Sequence, residues 1–160
     1  MWDRGYLPRV RTGDVPWTPA EALAPGLAPG SALRVLSRDP ADGALTALWR
    51  MPAGWQHPGA FTLAGAEAIY VLEGGFRTGD QAYAPGHYAF RPAGTPHAGL
   101  ASDHGALVLA MWDAAPALHR PGSVAPGPGE LLAFVDGNAV DERPTPVEGP
   151  VAGITVRILR

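Results

Sequence analysis

The sequence predicts an all-β protein built as a barrel or sandwich. Three observations carry that prediction. Short apolar runs with alternating character recur along the chain, and nearly every run is ended by Gly, Pro or Asp, drawn from 21 Gly and 18 Pro in 160 residues. With 46% apolar and only 17% charged residues, the chain has the material for a real core, so the Gly and Pro punctuate a folded domain rather than mark disorder.

Taken in order, residues 1–30 read as an N-terminal arm rich in Pro, Gly and Ala, with one short helix at "TPAEALA", where Thr-Pro suits a cap followed by a first helical residue. The arm's Trp2, Tyr6 and Trp17 offer more aromatic surface than a solvated tail needs, and either fold back on the barrel or meet a partner. Residues 31–115 hold the barrel. "ALRVLS" and "ALTALWR" flank an Asp39-to-Gly43 turn and form a hairpin, and further strands follow at "AFTL", "AEAIYVLE", "QAYA", "HYAFRP" and "GALVLAMWD". Residues 116–160 begin as a Pro/Gly-rich linker and end in a terminal strand that packs on the barrel or on a partner. "VPWTP" and "GSALRVL" near the start are echoed by "RPTP" and "GITVRIL" near the end, as a faint repeat or by chance.

Charge and composition exclude several classes of function. All 12 basic residues are arginines scattered singly, and the net charge is −3, so no basic stripe exists to follow a nucleic-acid backbone. The chain has no cysteine, which removes disulfides, thiolate nucleophiles and Cys-based metal centres. No run approaches the ~20 apolar residues of a membrane span, nor does the N-terminus carry a signal-peptide core. A cytoplasmic protein is expected.

Two spaced motifs carry a family resemblance. "GHYAFRPAGTPH" places Gly86, Pro92, Gly94 and His97 in the pattern Gly-x5-Pro-x-Gly-x2-His, with Ala101 where an Asn would complete it; Glu67 and Gly74 stand six residues apart. These match the second cupin signature and the latter half of the first, and the chain resembles cupins over about residues 30–115. "LSRDPADGALTALWRMPAGW" and "YVLEGGF" are similar to phrases of the ChrR-like cupins of unknown function. The resemblance implies a double-stranded β-helix, or jelly-roll barrel, and a metal (Fe, Mn, Ni or Zn) held by three His and one Glu. Counting back from Glu67, the first two of those histidines fall on Phe61 and Leu63. Neither hydrocarbon side chain can coordinate an ion.

The expected reading is therefore a cupin with no cofactor, whose apolar barrel pocket binds a small organic molecule, aromatic or polyketide-like. The pocket residues expected are Phe61, Leu63, Ile69, Val71, Trp49 and Phe90, with Glu67 and His97 as an acid/base pair for isomerase-, cyclase- or dehydratase-type proton transfer. One alternative is a metal-dependent dioxygenase with His57 replacing a lost ligand beside Glu67 and His97; another is a non-catalytic binding or sensing module. His57 in "WQHPG" reads as a rim or surface residue, His87 faces either way, and His104 and His119 read as turn and linker residues. Arg50 and Arg91 read as solvated surface arginines, able at most to orient a carboxylate at the rim. The chain is expected to form a homodimer.

Overall fold

The computed structural model describes residues 11–23, 26–139, 143–144 and 155–156. Trp2, Tyr6 and most of the C-terminal echo lie outside them. The strands are β1 (Thr18–Pro19), β2 (Ala32–Arg38), β3 (Leu45–Met51), β4 (Trp55–Gln56), β5 (Thr62–Leu63), β6 (Glu67–Gly74), β7 (Phe76–Thr78) and β8 (Gln81–Tyr83). They continue as β9 (His87–Arg91), β10 (Ala101–Ser102), β11 (Ala106–Trp112), β12 (Leu118–His119), β13 (Leu132–Asp136), β14 (Arg143–Pro144) and β15 (Thr155–Val156). The helical turn α1 occupies Ala20–Leu23, within the span expected.

Seven strands form one antiparallel sheet in the order β1-β2-β3-β11-β6-β9-β13, and four form a second in the order β4-β10-β7-β8. β12 pairs with β5, and β14 with β15. This is the jelly-roll arrangement that the strand pattern predicts. Period-two alternation decides which residues enter the core. Leu45, Ala47, Trp49 and Met51 of β3, Ala106, Val108, Ala110 and Trp112 of β11, and Ile69 and Val71 of β6 are all buried.

Two motif glycines have geometric reasons to be glycine. β6 carries one extra residue against β11 near Leu72, and Gly74 closes that bulge at φ +66°, where a Cβ would stand 2.1 Å from the Gly105 carbonyl oxygen. Gly94, at φ +78°, turns beside the Val124 and Ala125 carbonyls, each 2.9 Å from where its Cβ would sit.

The flanking segments lie on the barrel. β1 extends the large sheet through β2, and Ala20, Leu27 and Ala28 join the core. On the other side, β12 and the Pro/Gly-rich stretch after it cross β5 and the Pro92–Gly94 turn: Thr62 Oγ1 donates to the Arg120 carbonyl at 3.3 Å, and the Gly127 N–H donates to the Ala93 carbonyl at 2.9 Å. β13 then completes the sheet beyond β9.

Candidate functional site

β6 lies between β11 and β9, and the register sets Trp112, Glu67 and Arg91 directly opposite one another on these three strands. All three side chains point inward and bond across the row. Arg91 Nη1 donates to Glu67 Oε2 at 3.0 Å, and Trp112 Nε1 donates to Glu67 Oε1 at 3.1 Å. Arg91 Nη2 donates to the Tyr83 hydroxyl at 3.0 Å, and that hydroxyl donates in turn to the Ala133 carbonyl on β13. A carboxylate with a charged donor on one oxygen and an indole N–H on the other meets the terms for burying an ion pair.

His97 arrives from the other side. Thr95 bonds back to the Pro92 carbonyl through both its N–H (3.1 Å) and its hydroxyl (2.7 Å), and the Gly94 N–H donates to the Leu63 carbonyl at 2.9 Å. That turn delivers His97 to a reciprocal backbone pair with Phe61, with N···O distances of 2.8 and 3.0 Å. The two rings stack, their centroids 4.7 Å apart and their planes within 7°. His97 Nδ1 faces Glu67 Oε2 at 3.7 Å, so imidazole and guanidinium converge on one carboxylate oxygen. Glu67, Arg91 and His97 are each at most 5% exposed.

Burial holds the His97 pKa below its usual value; Glu67 opposes that shift, while Arg91 and His57 reinforce it. The Tyr83 phenol is pushed up by burial, against the pull of Arg91.

Of the residues expected in the pocket, Phe61, Leu63, Ile69, Val71 and Trp49 are buried in the barrel, each at most 5% exposed, and therefore pack against neighbours with little free space between them. Phe90 is a correction. Alternation sends Ala89 and Arg91 inward and turns Phe90 to the outer face of the large sheet, in a row with Ala68 and Leu132. Arg91 is a second correction, since it is buried among strands rather than solvated. Arg50 is exposed, its guanidinium 4.2 Å from the centroid of the Trp17 ring.

His57 does not turn toward Glu67. Its Nδ1 lies 2.7 Å from the Gly59 carbonyl and its Nε2 3.2 Å from the Gly26 carbonyl, and Phe61 stands between its ring and that of His97. His87 accepts the Ala84 N–H on Nδ1 and sits 3.8 Å from Asp136, at the rim. Arg91, Tyr83 and Trp112 complete the cluster: the sequence reads Arg91 as a surface residue and gives no motif spacing that marks the other two. Arg91 shares the strand parity of Ala89, but only the pairing with β6 reveals which parity is inside.

A cupin metal does not fit these residues. Two of its donor positions are the buried hydrocarbons Phe61 and Leu63, Glu67 is already paired with a guanidinium, and His57 presents its ring nitrogens to carbonyls. Among the described residues, no group of three or more His, Cys, Asp or Glu could hold an ion. Nor, among those residues, is any helix long and apolar enough to cross a membrane.

Comparison with known proteins bears on the fold. A protein from Nostoc punctiforme PCC 73102, provisionally assigned as a dioxygenase, superposes with TM-score 0.68 at 18% identity, over 90% of this chain and 54% of its own. The chain thus spans about half the length of that relative. An RmlC-like cupin from Ralstonia eutropha JMP134 gives 0.57 at 17% identity, over 80% of this chain and 81% of its own. An acetylacetone dioxygenase from Acinetobacter johnsonii gives 0.53 at 17%, over 83% and 89%. No curated protein sequence matches the chain. The family profile described as "ChrR Cupin-like domain" matches residues 8–114, and with the jelly-roll strands and both signature remnants in place, the chain belongs to the ChrR cupin-like family.

Proposed function

We propose that this protein is a metal-independent cupin that binds a small organic molecule and moves a proton on it with the Glu67–His97 pair. The observation that carries this reading is the buried approach of His97 Nδ1 to Glu67 Oε2 at 3.7 Å, beside hydrocarbon at the positions of the lost donors. An imidazole kept neutral by burial is a proton acceptor at neutral pH, and a carboxylate facing it stabilises the imidazolium that forms. Glu67 then acts mainly as the partner of the base, because both its oxygens already receive donors.

Room for a small organic ligand lies not among the expected pocket residues but in a groove of about 390 Å³ whose wall includes Phe76, Arg77, Asp103, His104 and Tyr83; neither Glu67 nor His97 lines it, and Tyr83 connects it to the buried cluster through Arg91. That volume lies in the range of small-molecule sites. The absence of cysteine agrees with a cytoplasmic setting. A homodimer is part of the proposal: Leu48, Leu109, Tyr70 and Tyr88 form one cross-strand row on the outer face of the large sheet, and a second copy would cover them.

Enolisable ketones are the test substrates, since they require only proton transfer and since a structural relative is an acetylacetone dioxygenase. Acetophenone in D2O, followed by NMR, is expected to exchange its methyl protons faster with the protein present. His97→Gln should lose that acceleration by at least tenfold. No acceleration by the wild type with any simple aromatic or aliphatic ketone would count against catalysis. It would favour the second reading, a non-catalytic binding module, which the closed bonding of Trp112, Glu67, Arg91 and Tyr83 also supports.

A further inference from the structure

We infer that Arg91 is the barrel's resident cation, standing in for an ion between Glu67 and His97, and that removal of its side chain turns this place into a binding site for a small external cation. The inference rests on the metal-independent reading above and extends it. Three observations carry it. The guanidinium meets the same Glu67 oxygen that faces His97, so a cation already occupies the carboxylate oxygen that an ion held by those two residues would use. It is buried, and its charge faces the carboxylate without intervening solvent. Its second nitrogen is bonded to Tyr83, so the planar fork serves two acceptors at once, which a spherical ion or an ammonium group does not do in the same way.

Charge balance decides what can stand beside Glu67. A carboxylate enclosed in protein needs a cation or a proton, and leaving it with neither is among the most destabilising single changes available. Cupins generally meet that need with a metal; here the chain supplies the cation from β9, one residue before the Pro92–Gly94 turn that delivers His97. Phe61 and Leu63 at the donor positions are consistent with this, since a site with a built-in cation has no use for further donors. Two features that look unrelated in sequence, hydrocarbon at the donor positions and an inward arginine on β9, thus fit one account of how the buried carboxylate is balanced.

Chemical rescue tests this. Arg91→Ala is expected to melt about 10 °C below the wild type, as a broken buried pair in a chain of this size should. Guanidinium at about 10 mM, far below denaturing concentrations, should raise the melting temperature of Arg91→Ala by about 3 °C, the shift produced by a ligand present at roughly ten times its dissociation constant. The wild type and the neutral double variant Glu67→Gln/Arg91→Met should show no rise. If Arg91→Ala yields no folded protein, the double variant decides: folding and melting close to the wild type supports the charge role, and failure to fold overturns it. Absence of rescue in a folded Arg91→Ala, or stoichiometric uptake of Zn2+ by the wild type, also overturns the inference. Failure of rescue leaves the ketone-exchange result untouched, so this proposal and the proton-transfer reading fail separately.

Discussion

His97 is the residue whose environment sets the protein's response to pH. Its folded pKa lies below the ordinary imidazole value, chiefly through burial, so the unfolded chain binds the proton more readily than the folded one. The associated stability is fully present above about pH 6.5, the unperturbed value, and is lost as pH falls through the depressed folded value. Urea unfolding at pH 7.5 and at pH 5 should therefore show the wild type losing more stability on acidification than His97→Gln. Equal losses in the two proteins would contradict the burial-driven shift. At this scale the sequence was informative in part. Motif spacing singled out Glu67 and His97 because a tight turn and a fixed strand length impose fixed intervals, whereas Arg91 follows no spacing rule and is brought to Glu67 only by the register of β9 on β6.

Strand length decides how much of an element shows in the sequence. β2, β3, β6 and β11, of seven or eight residues each, alternate long enough to be read directly, and they lie within a residue of the expected positions. The two-residue strands β4, β10 and β12 have no period to read, since tertiary pairing rather than local pattern makes them strands, whereas β5 falls inside the expected "AFTL" run. β13 follows the Pro/Gly-rich linker and shows no clear alternation of its own; pairing with β9 makes it a strand. Gly74→Ala would force a left-handed alanine into the Gly105 carbonyl, so chemical denaturation should show a loss of at least about 2 kcal/mol. A loss under about 0.5 kcal/mol would mean that the bulge between β6 and β11 relaxes freely.

For the whole molecule, the two sheets enclose a charged cluster in a mainly apolar interior, while the large sheet turns a row of leucine and tyrosine outward. Light scattering should give twice the mass of the chain, and Leu109→Glu, placed in the middle of that row, should give the monomer mass with the fold retained by circular dichroism. A monomeric wild type at high concentration would contradict the dimer. The fold class was legible from punctuation and alternation because those are local; the interior's charge arrangement was not, because it is assembled from β6, β9, β11 and the turn before His97. The central claim is that this arrangement replaces a metal with Arg91. Elemental analysis of wild-type protein, purified without chelator and then equilibrated with Fe, Mn, Ni and Zn salts, tests it most directly. The account predicts far less than one ion per chain; one ion per chain, lost in Glu67→Gln and in His97→Gln, would contradict it.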